Sequence, residues 1–286
     1  MKTVNSVTDT LKNKIEQSVL YIVATPIGNM SDITYRAVKV LTEVDFIAAE
    51  DTRVTGKLLS QLDISKPMVS YHEHNKNTKH DYIIERIKSG ESCALVTDAG
   101  TPAISDPGFD LVKLCIAENI KVTSIPGASA VITALTLAGI DTAQFMFLGF
   151  LNKLSKEKIE KIHTYDCTLV FYEAPHRIKE TLKELHDLLG DRKITLCREL
   201  TKLNEEIIYT TLNQAIILYE TIDPRGEYVI IIDGSADELP FWYGMSVSEH
   251  AEYYMTVMNY TKNDAIKAVA RDRKVSKNTI YKEFIN

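Results

Sequence analysis

No stretch of this sequence approaches the ~18–20 consecutive apolar residues that a helix needs to cross a bilayer, so a helical membrane anchor is not expected. The first seventeen residues are polar and charged throughout and lack the apolar core of a secretory signal, which points to a cytoplasmic location. Cysteine is scarce. Cys93, Cys115, Cys167 and Cys197 each stand alone in apolar surroundings, without a Cys-x-x-Cys, which argues against a disulfide framework or a zinc ribbon and for small core residues of a reduced protein. Net positive charge is missing too: the balance is −6, so a nucleic-acid partner would have to meet a local basic surface. The glycine fingerprints Gly-x-Gly-x-x-Gly and Gly-Lys-Ser/Thr are absent, which disfavours NAD and ATP in their commonest folds. His72-Glu73-His74 invites a metal, but no further ligand lies at a recognisable spacing, and none is expected.

What is present centres on residues 93–114. Cys93-Ala-Leu-Val-Thr97 reads as a buried strand, Phe109-Asp-Leu-Val-Lys-Leu114 as the start of a helix, and Asp98 to Gly108 as the loop between them. A βα connection usually needs about 2–6 residues. This longer one, with Pro102, Pro107, Gly100 and Gly108, is a shaped loop, either a rigid turn or a wall of the crevice where open parallel sheets bind ligands.

Around it the chain alternates strand and helix. Strands are expected at 19–24, 45–49, 67–70, 93–97 and 122–125, each followed by a helix, as a doubly wound α/β domain over 19–139 behind an N-terminal tail, 1–18. A change of register at 139–145 opens a second doubly wound α/β domain, 140–236, with strands at 145–149, 168–172, 193–197, 207–210 and 228–232. The segment 240–286 differs in kind. It reads as three short helices, one capped by Asp264 and one by Ser276, and Lys262 to Asn286 carries a charge of about +4. Lys274, Lys277 and Lys282 suit a helix-turn-helix gripping nucleic acid, or a solvated dimerisation cap.

Several strand ends carry chemistry. Thr25-Pro26-Ile27-Gly28-Asn29 follows the first strand, where a helix N-terminus and backbone N–H groups meet a ligand. Glu50-Asp51-Thr52-Arg53 ends the second; it reads as paired carboxylates with an arginine, or as a helix cap with a surface ion pair. Pro126-Gly127-Ala128-Ser129-Ala130 brings small residues to a helix start, and Glu173-Ala-Pro-His176-Arg177 ends the strand at 168–172. The lysines at 153–161 are a solvated face or the rim of a crevice.

Seven segments in order resemble one family: Leu20–Asn29, Ala48–Arg53, Ser70–Asn75, Thr97–Gly108, Ile125–Ala130, Phe171–Arg177 and Arg198–Lys202. The chain resembles the ribosomal RNA small subunit methyltransferase I group, the ribose-methylating branch of the tetrapyrrole methylases, and the basic tail is similar to the helix-turn-helix extension of that branch. The resemblance implies two α/β domains, S-adenosylmethionine in the cleft between them, and a homodimer. By position it implies that Pro26 ends the first strand at the cofactor, that Asp98, Ala99, Gly100 and Ile104 line its methionine side, that Ser129 and Ala130 touch it, and that Tyr172 and Leu200 flank its adenosine.

The implied substrate is the 2′-hydroxyl of a decoding-centre cytidine in 16S rRNA, free or in the 30S subunit. A ribose hydroxyl is a weak nucleophile and calls for a base or a polarising hydrogen bond. The candidates are Glu50, Asp51, His72 and Glu173 foremost, with Glu73, His74, Asp106 and His176. Arg53 and Arg177 are candidates for RNA phosphates. No cysteine stands in a cleft motif, which speaks against a covalent route to a pyrimidine carbon. The alternatives are a true tetrapyrrole methylase and a ligand-sensing DNA-binding regulator; the basic tail and Ser70–Asn75 do not help to bind a macrocycle.

Overall fold

The computed structural model describes residues 14–73, 75–234, 242, 245–273 and 275–285. They divide into two compact units, Met1–Gly234 and Ser235–Asn286.

The first unit holds two five-stranded sheets. Strand β1 (Val19–Val23) is buried along its whole length, as its unbroken apolar composition requires of a central strand covered on both faces. It lies between β4 (Cys93–Val96) and β5 (Lys121–Ile125); β2 (Phe46–Ala49) and β3 (Met68–Ser70) complete the order β3-β2-β4-β1-β5. Every pairing in this sheet is parallel. Helices α1 (Tyr35–Glu43), α2 (Thr52–Gln61), α3 (Lys76–Lys88) and α4 (Phe109–Ala117) make the crossovers, and α5 (Ala130–Leu137) leads from β5 to the second sheet. Thr34 caps α1 by accepting the Ala37 N–H at 3.1 Å, and Ala37, Val40 and Leu41 turn its apolar face to the sheet.

The second sheet has the order β6-β7-β10-β8-β9, from β6 (Phe145–Phe150), β7 (Thr168–Glu173), β8 (Lys193–Arg198), β9 (Glu206–Thr211) and β10 (Tyr228–Ile232). The α/β class is as expected, but this sheet is mixed rather than doubly wound. Only β6 and β7 run parallel, and β10 is antiparallel to both its neighbours. The seven residues between β8 and β9 are too few for a parallel crossover, so these strands pair antiparallel. Between β6 and β7 stand a short 3-10 turn, Leu151–Lys153, and α6 (Lys156–Lys161); α7 (Ile178–Leu189) and α8 (Leu212–Thr221) cover the outer face. The inner face packs on α5 of the first half: Val131, Ala134, Leu135 and Ala138 meet Val170, Cys197, Val229 and Ile231. That shared core joins the two sheets into one unit.

The second unit contains α9 (Val247–Thr256), α10 (Lys262–Asp272) and α11 (Lys277–Ile285) around Ala251, Tyr254, Ala265, Ile266, Val269 and Ile280. Ser246 and Glu249 form a reciprocal capping box on α9. Thr261 rather than Asp264 caps α10, because the helix begins at Lys262 and the Thr261 hydroxyl oxygen accepts the Asp264 N–H. Buried His250 lies between the rings of Trp242 and Tyr254, each 5.3 Å away, and Arg273 donates to the Met245 and Ser246 carbonyls at 2.5 and 3.0 Å. No helix of the described residues is long and apolar enough to cross a membrane.

Candidate active site

The carboxyl ends of β1 and β4 adjoin, and the loops leaving them are tied together. Thr25 and Gly100 exchange backbone hydrogen bonds of 2.9 and 3.1 Å, and the Thr101 hydroxyl donates to the Ala128 carbonyl at 3.1 Å. Gly100 sits at φ +79°, a conformation that a side chain would strain. Gly127 is needed for a different reason: a Cβ there would lie 2.8 Å from the Ala24 Cβ. These contacts shape one wall of a cavity of about 830 Å³.

The other wall is the inner face of the second sheet. A β-bulge between Phe147 and Gly149 inserts one residue into β6, so that Phe147 and Phe150 face the same way. Both rings meet Tyr172 edge-on, at 4.8 and 5.8 Å, and line the cavity with Leu200. Burial pushes the Tyr172 hydroxyl up to about 12.

Carboxylates collect at the first wall. The Asp98 N–H donates to Glu50 Oε2 at 3.3 Å, and the Asp51 N–H donates to Asp98 Oδ1 at 3.2 Å. Burial raises both the Glu50 and the Asp98 carboxyl above their ordinary values, and their mutual repulsion raises Glu50 further. Asp106 is pushed up to about 6, chiefly because the cleft walls withhold water from it and then because Glu50 repels it, while Lys153 pulls the other way.

Of the expected cofactor residues, Asp98, Ala99, Gly100, Ile104, Ser129, Ala130, Tyr172 and Leu200 all line this cavity. Pro26 does not; Thr25 is pinned by its bridge to Gly100, and Ile27 is the residue that reaches the lining. The base candidates separate sharply. Glu50 lines the cavity. Asp51 does not: its Oδ1 caps α2 through the Arg53 N–H at 2.8 Å, and its carboxylate grips the Arg53 guanidinium. Those bonds hold the Asp51 carboxyl down to about 2, so it is a helix cap with a surface ion pair and a poor proton acceptor.

Glu173 reaches the lining but is 2% exposed, and both its oxygens are taken, one by the Ala174 N–H at 2.8 Å and one by the Thr181 hydroxyl at 2.5 Å. It anchors the turn into α7 rather than facing a reactant. His72 stands outside the lining, near enough to Glu50 for its charge to act there. Glu73 and His176 are exposed away from the cavity, and His74 lies outside the described residues.

Arg53 is exposed but paired with Asp51, and Arg177 is held along α7 by Glu180 at 3.0 Å and Glu184 at 3.8 Å, which leaves it less free for a phosphate than expected. Lys277 is exposed and donates to Asn263 Oδ1 at 2.6 Å; Lys274 and the Lys282 side chain lie outside the described residues. Among the described residues no group of three or more His, Cys, Asp or Glu is arranged to hold a metal.

Sequence reasoning missed three features. Cys197, just outside the Arg198–Lys202 motif, also lines the cavity; it follows from the strict burial of β8, and burial pushes its thiol up to about 12, which disfavours the thiolate at neutral pH. The aromatic panel needs the bulge. Lys202, in the cavity lining, bridges Glu199 and Glu227 at 2.7 and 2.8 Å, the second a contact between distant parts of the chain. Of the lysines read as a solvated face or the rim of a crevice, Lys153 stands with its ammonium 4.6 Å from the Phe150 ring centre.

Two α/β sheets closing on one cavity, with glycine-shaped loops at the strand ends, define a ligand-binding α/β protein whose site lies at the carboxyl ends of its strands. The model of the Tetrapyrrole (Corrin/Porphyrin) Methylases matches residues 19–216, and the chain belongs to that family. Within it the chain is similar to the ribosomal RNA small subunit methyltransferase I of Halalkalibacterium halodurans, 44% identical over 273 residues that cover 93% of this chain and 94% of that one. The protein of the same name from Bacillus subtilis is 44% identical over 279 residues, 95% of each chain. Among solved structures, the uroporphyrin-III C-methyltransferase of Thermus thermophilus complexed with S-adenosyl homocysteine matches with a TM-score of 0.55. It covers 75% of this chain and 96% of that one at 17% identity, a likeness of fold alone.

Proposed function

We propose that this protein is an S-adenosylmethionine-dependent methyltransferase acting on the ribose 2′-hydroxyl of a decoding-centre cytidine in 16S rRNA. The observation that carries this reading is the 44% identity, over 93% of the chain, to a protein named for methylating small-subunit ribosomal RNA.

The cavity suits the cofactor in size and in charge. Small-molecule sites span about 300–1,000 Å³, and this one measures about 830 Å³. Glu50 and Asp98 set carboxylates where a cationic sulfonium and ammonium are to be held, and the Phe147, Phe150, Tyr172 and Leu200 surface suits a purine. A fold neighbour carries S-adenosyl homocysteine, the demethylated product. In this reading Asp98, Ala99, Gly100 and Ile104 hold the methionine end, Ser129 and Ala130 the middle, and Tyr172 and Leu200 the adenosine. When bound, S-adenosylmethionine supplies a methyl group activated by its positive sulfur. The chain's own contribution is alignment: rigid loops pinned by Thr25, Gly100 and Thr101 hold one wall, and the second sheet keeps water from the other. Lys277, with Lys274, Lys282 and the exposed Arg53, is assigned to RNA phosphates, and Arg177 to a lesser share.

The same reading places the protein in the cytoplasm, where ribosomal subunits are, as a homodimer; sedimentation should then give the mass of two 32.2 kDa chains. A tetrapyrrole substrate is the second reading, favoured by the fold neighbours. Parallel assays with labelled S-adenosylmethionine separate them. Label entering 16S rRNA or 30S subunits, with none entering a uroporphyrinogen, is the expected result; the reverse pattern would replace the RNA reading.

A further inference from the structure

Among the carboxylates of the cavity, Asp106 differs from the rest. Glu50 accepts the Asp98 N–H, Asp98 accepts the Asp51 N–H, and Glu173 is fully engaged. Asp106 lines the cavity and accepts no hydrogen bond from any described residue. Its place is nonetheless built. Ala103 and Ser105, just before it, hold φ of 68° and 64°, left-handed conformations that non-glycine residues rarely adopt and that cluster where a loop is held for a purpose. The loop is pressed against the second half of the unit: a Cβ on Gly149 would lie 3.2 Å from the Ser105 Oγ.

From that same strand end comes Lys153, whose ammonium is held over the Phe150 ring, itself edge-on to Tyr172. The charged and titratable groups facing Asp106 are Glu50 at the end of β2, Asp98 at the end of β4, Lys153 after β6 and the Tyr172 hydroxyl on β7. Asp106 is thus a free carboxylate at the junction of the two halves, between two anions and one cation.

We propose that Asp106 is the general base of this site and that Lys153 is its positioning residue, an assignment that rests on the ribose-methylation reading above. The substrate hydroxyl donates its proton to an Asp106 Oδ as the oxygen–methyl bond forms. The methyl–sulfur bond breaks with its electron pair left on sulfur, and the proton then passes from Asp106 to solvent. The balance of neighbours sets the working range: burial and Glu50 raise the carboxyl and Lys153 restrains it, to about 6. A base near that value is ionised at neutral pH and still takes up a proton readily.

The test is single-turnover methylation of 16S rRNA or 30S subunits followed from acid to neutral pH, alongside a carboxyl-carbon NMR titration of Asp106 in the cofactor-free protein. The wild type should lose activity as pH falls through about 6. D106N should lose roughly 10²–10⁴-fold in rate, with cofactor affinity by calorimetry unchanged and the acid limb gone. D106E should restore part of both. K153M removes the cation and should move the limb and the NMR midpoint to higher pH; E50Q removes an anion and should move both to lower pH. A D106N enzyme within tenfold of wild type, a limb that persists in D106N, or an Asp106 midpoint indifferent to K153M and E50Q would overturn the assignment. A wild type that labels no RNA would instead overturn the ribose reading, and the assignment with it, whatever the titration gives.

Discussion

Gly127→Ala tests how closely the cavity wall is built. Gly127 precedes α5, whose N-cap Ser129 and first residue Ala130 line the cavity. The new Cβ would lie 2.8 Å from the Ala24 Cβ, where ordinary contact begins at 3.4 Å and is comfortable near 4 Å. Ala24 is buried and its methyl cannot rotate away, so the two backbones must separate by about 0.6–1.2 Å. Overpacking of this size costs about 1–3 kcal/mol. If the cost falls on folding, melting drops by roughly 2–4 °C per kcal/mol for a unit of this length. If it falls on holding the wall in its binding position, S-adenosylmethionine binds roughly 5- to 150-fold more weakly. Calorimetric titration and thermal melting together capture both shares. Gly56→Ala is the internal control: Gly56 is inside α2, and its Cβ would meet only the Met68 Cε at an easy 3.6 Å. Relief of helix propensity should make that variant more stable by up to about 1 kcal/mol. A Gly127→Ala protein that melts and binds as the wild type would refute the close approach of the 126–130 loop to β1.

Three further outcomes follow from the geometry. Thr181→Val leaves one oxygen of the buried Glu173 carboxylate without its donor and should destabilise the protein by about 1–3 kcal/mol in urea unfolding; an unchanged midpoint would mean that this bond does not anchor α7. Iodoacetamide on the native protein should modify Cys167 first, since Cys93, Cys115 and Cys197 are buried and burial raises their thiols, with Cys115 at about 11 and Cys197 at about 12; equal labelling of all four before unfolding would contradict the described cores. Removal of residues 235–286 should leave cofactor affinity within about twofold while RNA binding weakens and loses salt dependence, because fewer counterions are released; full methylation by the truncated protein would make that unit a structural cap.

The first sheet was legible because its strands are buried on both faces and therefore read as unbroken apolar runs, as in Val19–Val23 and Cys93–Val96. The loop from Asp98 to Gly108 announced itself by its prolines and glycines, and it supplies Asp98, Ala99, Gly100 and Ile104 to the cavity. The second sheet was legible in its strands but not in their directions, because pairing is set by connection length and by where β10 inserts. Phe147 and Phe150 lie on opposite faces of an unbroken strand; only the bulge brings them together, and Gly149 inside the strand was its one trace. At Glu50-Asp51-Thr52-Arg53 the sequence allowed both a reactive pair and a capped helix. The cap won because the Asp51 side chain meets the Arg53 N–H and guanidinium locally, whereas Glu50 turns into the cavity. Lys202 with Glu199 and Glu227 joins segments that only the folded sheet brings together.

The central claim is that the methyl group goes to a ribose hydroxyl of small-subunit RNA, and the most direct measurement is the position of the label in the product. 16S rRNA methylated with labelled S-adenosylmethionine is digested with alkali and with nuclease, and the fragments are weighed by mass spectrometry. A ribose methyl removes the hydroxyl that alkaline cleavage requires, so the account predicts an alkali-resistant dinucleotide carrying the label on a 2′-O-methylcytidine. Label recovered in alkali-cleaved mononucleotides, with the methyl group on the base, would contradict it.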